Sequence, residues 1–221
     1  MNSTGSSLDA LKDIKRIMER SGRFISLSGW SGICAGICGL VGAFLASRML
    51  ANVGPEYSSY YHDKSGFQFR VLTDNDLILR FIGLAAAVFL AAFISAFFFT
   101  YAKSKREGIA IWGATAQRLL INTLVPMVAG GVVVLRLLEM QEYSLIAPAC
   151  LIFYGLGLIN GSKFTLGEIR YLGYLELLLG LINLWVTGFG LVFWAIGFGL
   201  LHIIYGLLMW WKYERQPLTN Q

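Results

Sequence analysis

Long stretches without a charged residue are the feature that most limits how this chain can fold. Residues 24–46, 81–102 and 143–162 contain no Asp, Glu, Lys or Arg, and a shorter charge-free run covers residues 119–135. An α-helix rises about 1.5 Å per residue, so about 20 apolar residues are needed to cross roughly 30 Å of hydrocarbon. Each of these runs therefore predicts one transmembrane helix.

The last charge-free run, residues 177–211, is too long for a single span. Thr187-Gly188-Phe189-Gly190 interrupts it and favours a tight turn between two helices. Only 14% of the residues are charged, against about 25% in soluble domains. The predicted fold class is all-α, a polytopic membrane helix bundle of about six spans, at residues 24–46, 78–101, 118–137, 144–162, 169–186 and 190–211.

The distribution of basic residues predicts how these spans are oriented. When the spans alternate in direction, 13 of the 18 Lys and Arg fall on the side that also carries both chain ends. An excess of Lys and Arg marks the cytoplasmic side of a membrane. The sequence therefore predicts a multi-pass protein of the cell inner membrane with cytoplasmic N- and C-termini, and the few basic residues on the other side are Arg48, Lys64, Arg70, Arg80 and Arg136.

The segments outside the spans have distinct compositions. Residues 1–7 are small and polar and are expected to be a disordered tail, and residues 212–221 are expected to form a cytoplasmic tail. Residues 8–22 predict an amphipathic helix with a basic excess, which could lie on the inner leaflet or dock a partner. The extracytoplasmic loop 47–76 is rich in aromatic residues, and alternation after Lys64-Ser65-Gly66 predicts a short β-hairpin.

Glycines recur through the first span, where they predict close helix packing. Gly32 and Gly36 form a GxxxG step, and small residues keep much of the same face open to another helix. The approaching helix could come from the same chain or from a second one. The predicted helix-packing residues are Gly29, Gly32, Gly36, Gly39 and Gly42.

Polar side chains inside the spans are the candidate functional residues, because ionisable groups are costly in a membrane. Glu176 in the fifth span and His202 in the sixth are expected at similar depth on an antiparallel hairpin, where they could meet. Asn160, Asn122 and Arg118 are expected in the same half of the membrane and complete the candidate polar site. Two interpretations stay open: Glu176 pairs with Arg170, Arg118 or His202 to hold helices together, or it handles protons or a solute.

Evidence for an enzyme is weak. Gly29-Trp30-Ser31-Gly32 matches the GxSG of six-span intramembrane proteases of the rhomboid type, but Ser31 lies in the first span and not in the fourth, which indicates a chance match. Cys34, Cys38 and Cys150 lie within apolar runs without the acidic or histidine neighbours of a metal site. We therefore expect no catalytic, metal-binding or cofactor-binding residues, no cofactor and no nucleic-acid partner.

The run from Arg20 to Gly29, which leads from a charged helix into the glycine-rich span, resembles the opening of a group of uncharacterised bacterial multi-pass membrane proteins. The resemblance covers mainly residues 8–46 and implies a bacterial inner-membrane location without any known activity. The expected function is that of a non-enzymatic sensor, accessory or assembly module acting through helix–helix contacts. The expected partners are the lipid bilayer and a second copy or another membrane protein. The alternative is a small-solute or proton-coupled transporter or channel that uses Glu176 and His202.

Overall fold

The structure, a computed structural model, describes residues 28–52, 58–62, 68–72, 75–107 and 112–215. Helices dominate these residues, and short 3-10 turns flank the fourth helix. The helices are α1 (Gly29–Ala51), α2 (Asn75–Glu107), α3 (Ala114–Glu139), α4 (Ile146–Gly161), α5 (Ile169–Trp185) and α6 (Gly190–Tyr213).

Six helices stand where the sequence predicts six spans. Five of them are long and apolar enough to cross a membrane, α4 when its flanking 3-10 turns are included (Tyr143–Phe164), whereas α5 with its 17 residues is not among the five. α1 continues to Ala51 and α2 to Glu107, beyond the predicted ends of the first two spans. The tail 1–7, the amphipathic helix 8–22 and the end of the chain after residue 215 lie outside the described residues.

A β-hairpin adds to the otherwise helical fold between α1 and α2. Strand β1 (Ser58–His62) pairs antiparallel with β2 (Gln68–Leu72), and His62 stands opposite Gln68 at the turn end. The two strands flank residues 63–67, which include Lys64-Ser65-Gly66, and the alternating pattern of the sequence predicted a hairpin around these residues.

α6 is a composite helix whose middle is widened. It begins as an α-helix over Gly190–Trp194, becomes a π-helix over Ala195–Leu201 and returns to an α-helix at His202. π-helical turns are rare and are found frequently at functional sites, because they shift the side chains that follow them. The shift here lies directly before His202.

The glycine ladder of α1 packs within the chain against α6. A Cβ atom added at Gly36 would lie 2.6 Å from the carbonyl oxygen of Gly199, and one added at Gly206 would lie 2.5 Å from the backbone nitrogen of Ile33. Backbone therefore meets backbone along this seam, which no larger side chain would permit. Gly29, Gly32, Gly36 and Gly39 face α6 in this way, while Gly42 faces Val88 of α2.

The remaining contacts order the helices. α1 packs on α2 and α6, α5 packs on α4, and α4 packs on α3, with α6 lying between α1 and the α4–α5 pair. α2 and α3 thus lie at the two ends of the arrangement. Consistent with this position, none of the residues in the most apolar 18-residue stretch of α2 is buried.

Polar contacts at one end of the bundle join the helices in two sets, α1, α2, α5 and α6 in one and α3 and α4 in the other. The carboxylate of Glu214, just after α6, accepts a hydrogen bond from the backbone N–H of Gly29 (2.9 Å) and pairs with Lys103 of α2 (3.3 Å). Glu168, just before α5, accepts hydrogen bonds from Lys212 and Tyr213 of α6. Asn160 of α4 donates to the carbonyl oxygen of Asn122 in α3 (2.9 Å). This end carries the helix termini that the sequence assigns to the basic side.

The contact of Glu168 with Lys212 and Tyr213 is expected to be sensitive to acid. Partial burial disfavours its charge, but the hydrogen bonds from Lys212 and Tyr213 outweigh burial and hold the pKa of Glu168 below its ordinary value of 4.5. A lowered folded-state pKa contributes stability that is present above the ordinary pKa and is lost as pH falls through the folded pKa. We expect wild type to lose more stability than Glu168→Gln when unfolding is measured at about pH 6 and again at about pH 3.

A matched control is Glu139→Gln. Glu139 pairs with Arg136 at 2.9 Å, but both side chains are 69% exposed, and such surface pairs contribute little. An equal change of acid sensitivity in Glu139→Gln and Glu168→Gln would contradict the special role of the Glu168 contact.

Candidate functional site

Glu176 and His202 meet inside the bundle, between α5 and α6. The Nδ1 atom of His202 lies 3.4 Å from Oε1 of Glu176, and the Glu176 side chain has no exposed surface. Of the three partners that the sequence allowed for Glu176, the structure therefore brings His202 to it. Neither Arg118 nor Arg170 forms an ion pair with Glu176 in the part of the chain that the structure describes.

The hydrogen bonds of His202 fix the orientation of its ring. Nδ1 lies 3.0 Å from the carbonyl oxygen of Gly197, and Nε2 lies 2.7 Å from the hydroxyl of Tyr154 in α4. Because a carbonyl can only accept, Nδ1 carries a proton. In a neutral ring Nε2 then accepts from Tyr154, and in a charged ring it donates to the Tyr154 oxygen. The ring can therefore gain or lose a proton without breaking either contact.

The widened part of α6 makes room for the Glu176 carboxylate. A Cβ atom at Gly197 would lie 2.5 Å from Oε2 of Glu176 and 2.5 Å from the side chain of Leu151. Glycine at this position is what lets the carboxylate reach the α6 backbone. Neither carboxylate oxygen has a hydrogen-bond donor among the described residues. Glu176, His202 and Tyr154 therefore form a buried chain of titratable groups, in which His202 bonds to Tyr154 and lies 3.4 Å from Glu176 without donating a hydrogen bond to it.

Asn160 and Asn122 form a separate polar contact between α3 and α4, and a proline explains it. Pro126 lies inside α3 and has no N–H, so the carbonyl oxygen of Asn122, four residues earlier, loses its helical donor. The Nδ2 of Asn160 supplies the missing hydrogen bond at 2.9 Å, and it also lies 3.4 Å from the Asn122 side-chain oxygen. Asn122 in turn donates to the carbonyl oxygen of Arg118 at 2.8 Å.

The five candidate residues of the sequence analysis thus form two groups and not one cluster. Glu176 and His202 meet Tyr154, whereas Asn160 meets Asn122 about two turns further along α4, and Arg118 contributes its backbone. No hydrogen bond or ion pair connects the two groups within the described ranges. The side chain of Arg118 is exposed.

The contact at Asn122 predicts a specific energetic coupling between Asn160 and Pro126. We expect Asn160→Leu to lower the free energy of unfolding by about 1 kcal/mol, because a partly buried carbonyl loses its donor. Pro126→Ala would restore an N–H to the helix and satisfy the same carbonyl. In the Pro126→Ala background, Asn160→Leu should therefore cost clearly less, as a double-mutant cycle of unfolding in detergent would measure. Equal costs in both backgrounds would contradict this explanation.

The two hydrogen-bond partners of His202 could not be assigned from the sequence. Tyr154 is one of 10 tyrosines, and it contacts His202 because α4 and α6 pack together although they are not consecutive. The Gly197 carbonyl becomes available to the imidazole in the π-helical segment, which residue patterns do not reveal. Glycine spacing in the sixth span was the one visible indication that another group approaches closely there.

Ser31 of the GxSG sequence is bonded elsewhere. Its hydroxyl donates to the carbonyl oxygen of Ser28 at 2.5 Å, within the first turn of α1. The two ring nitrogens of His202 are hydrogen-bonded to Tyr154 and Gly197 and not to Ser31.

No group of three or more His, Cys, Asp or Glu side chains suited to a metal ion occurs among the residues that the structure describes. Comparisons with protein-family models, with curated proteins and with solved structures find no match.

Proposed function

We propose that this chain is a six-span protein of the bacterial inner membrane with cytoplasmic termini, and that it acts as a non-enzymatic sensor, accessory or assembly module. The length and apolar composition of five helices support the membrane placement. The polar ties at one end of the bundle support the alternating direction of the spans, and the basic excess at that end favours the cytoplasm.

The observation that carries the proposed activity is an aromatic ladder on α2. Phe89, Phe93, Phe97 and Tyr101 follow one another at spacings of four, so they lie along one face of the helix, and each is about half exposed. Two pairs are stacked, Phe89 with Phe93 at 6.3 Å and Phe97 with Tyr101 at 6.4 Å between ring centroids. Aromatic rings supply large, rigid contact area at protein interfaces. The ladder is therefore the surface that would bind a helix of a second copy or of another membrane protein.

Packing inside the bundle supports the same conclusion. The glycine faces of α1 and α6 cover each other, so they are not available to a partner. α2, in contrast, has its main helix contact with α1 and presents its other faces outward.

Site-specific photo-cross-linking in membranes tests the proposed contact. A benzophenone amino acid at Phe93 should give a protein adduct of defined mass, and the same amino acid at Val132, which is 62% exposed on α3, should give much less. Lipid adducts alone at both positions would remove the support for helix–helix contacts.

The topology is tested separately with fusions to a reporter that is active only outside the cytoplasm. Fusions after Gln141 and after Gly188 should be active, and a fusion after Arg215 should be inactive.

The chain of Glu176, His202 and Tyr154 favours a second candidate function, a proton-coupled transporter or channel. Carbodiimide labelling of Glu176 across pH, with Glu176→Gln as the negative control, tests it. Strong, pH-dependent labelling that changes in His202→Ala would support proton or solute handling. An unreactive Glu176 at every pH, in a protein whose Glu176→Gln variant still folds, would exclude this candidate.

A further inference from the structure

An open groove lies between α3 and α4, near the end of the bundle that carries the basic residues. Its volume is about 380 Å³, and apolar side chains form most of it. Phe153, Leu156, Asn160 and Lys163 lie on one face of α4 and its 3-10 extension, over about 15 Å of helix length. The lining residues are Pro126, Phe153, Leu156, Ile159, Asn160 and Lys163.

The polar end of the groove is held in place. Asn160 is fixed by its hydrogen bonds to Asn122, which exist because Pro126 frees a carbonyl. The Nζ atom of Lys163 donates to Oδ1 of Asn160 at 3.3 Å. The ammonium group of Lys163 therefore lies at one end of the apolar groove, next to the Asn160 amide.

Lys163 differs from two other lysines at the same end of the bundle. Lys103 pairs with Glu214 and Lys212 with Glu168, whereas Lys163 forms no ion pair with any of the described residues. No acidic side chain lines the groove. Lys163 is therefore the one charged residue in the lining of the groove, and apart from Asn160 the other lining residues are apolar.

We propose that this groove binds an anionic phospholipid of the cytoplasmic leaflet. The negatively charged headgroup contacts Lys163 and Asn160, and an acyl chain lies against Phe153, Leu156 and Ile159. Basic pockets between membrane helices bind anionic headgroups in this way, and a single lysine near the surface favours an anionic over a neutral lipid by about fivefold. The inference rests on the membrane placement in the proposed function.

The test measures which lipids the purified protein retains. The full chain is reconstituted in nanodiscs of equimolar phosphatidylglycerol and phosphatidylcholine, extracted in mild detergent and analysed by native mass spectrometry. Wild type should retain phosphatidylglycerol in preference, and Lys163→Gln should lower that preference by about fivefold. Lys105→Gln removes the same charge at the same end outside the groove, and it should leave the preference unchanged. Leu156→Trp, which fills the groove but keeps the charge, should reduce retained lipid of both kinds.

Four outcomes would overturn the proposal. Equal effects of Lys163→Gln and Lys105→Gln would show diffuse attraction to the surface. Displacement of the lipid by inorganic phosphate would show that the headgroup charge alone is bound. Unchanged lipid retention in Leu156→Trp would place the lipid elsewhere, and disulfide-linked dimers through Leu156→Cys would show a second chain in the groove. A chain that fails to enter nanodiscs at all would contradict the membrane placement, which is a different result from entry without lipid preference.

Discussion

Replacing Gly206 with alanine is expected to lower the free energy of unfolding by about 3 kcal/mol. The added methyl would lie 2.5 Å from the backbone nitrogen of Ile33 and 2.6 Å from the carbonyl oxygen of Gly29. Backbone atoms cannot rotate away as a side chain can, so α1 and α6 would have to separate along the seam.

The control for this prediction is Gly131→Ala. No atom lies within 4 Å of a Cβ built at Gly131, and alanine favours a helix over glycine by about 1 kcal/mol. This variant should therefore be as stable as wild type or slightly more stable. Unfolding in mild detergent can be followed by tryptophan fluorescence, because Trp30 and Trp210 contact each other near one end of the seam, 6.3 Å apart. Similar behaviour of Gly206→Ala and Gly131→Ala would mean that α1 and α6 are not in backbone contact.

Replacing His202 with alanine is expected to cost about 2 to 4 kcal/mol of unfolding free energy. The imidazole is buried, joins α6 to α4 through Tyr154 and is held in orientation by the Gly197 carbonyl of its own helix. Its removal would take a hydrogen bond from the Tyr154 hydroxyl and from the Gly197 carbonyl, create a cavity beside Glu176 and remove the basic group that lies 3.4 Å from that side chain.

Two smaller substitutions separate these contributions. Tyr154→Phe removes one hydrogen bond and should cost about 1 kcal/mol in wild type, but less in the His202→Ala background, where the bond no longer exists. Glu176→Gln keeps the shape of the side chain but cannot ionise, so we expect its stability to stay close to wild type. A larger loss in Glu176→Gln than in His202→Ala would show that the carboxylate, and not the imidazole, holds these helices together.

Some contacts were predictable because the turn between two helices fixes their register. Gly188 has a φ of 87°, a conformation that glycine adopts without strain, and Glu176 and His202 lie at nearly equal distances from it along the chain. The two side chains therefore had to reach similar depth on adjacent helices. The charge-free runs likewise predicted six helices, because length and apolarity are properties of each segment alone.

Contacts between helices that are distant in sequence were not predictable in the same way. A GxxxG step shows that a backbone can be approached closely, but it does not say which helix approaches it. Pro126 frees a carbonyl wherever α3 packs, yet the donor that reaches this carbonyl, Asn160, depends on how α3 and α4 align. The contact between Tyr154 and His202 could not be predicted for the same reason, since it depends on the packing of α4 against α6.

The pairing of the first described helix with the last one has a consequence for biosynthesis. A chain is made from its N-terminus at about 5 to 20 residues per second, so α1 is synthesised many seconds before the ribosome has completed α6. During that interval the backbone of α1 along its glycines lacks the surface that later covers it. A nascent chain of this kind exposes the glycine face of α1 until α6 arrives, and a truncation before Gly190 would leave that face uncovered.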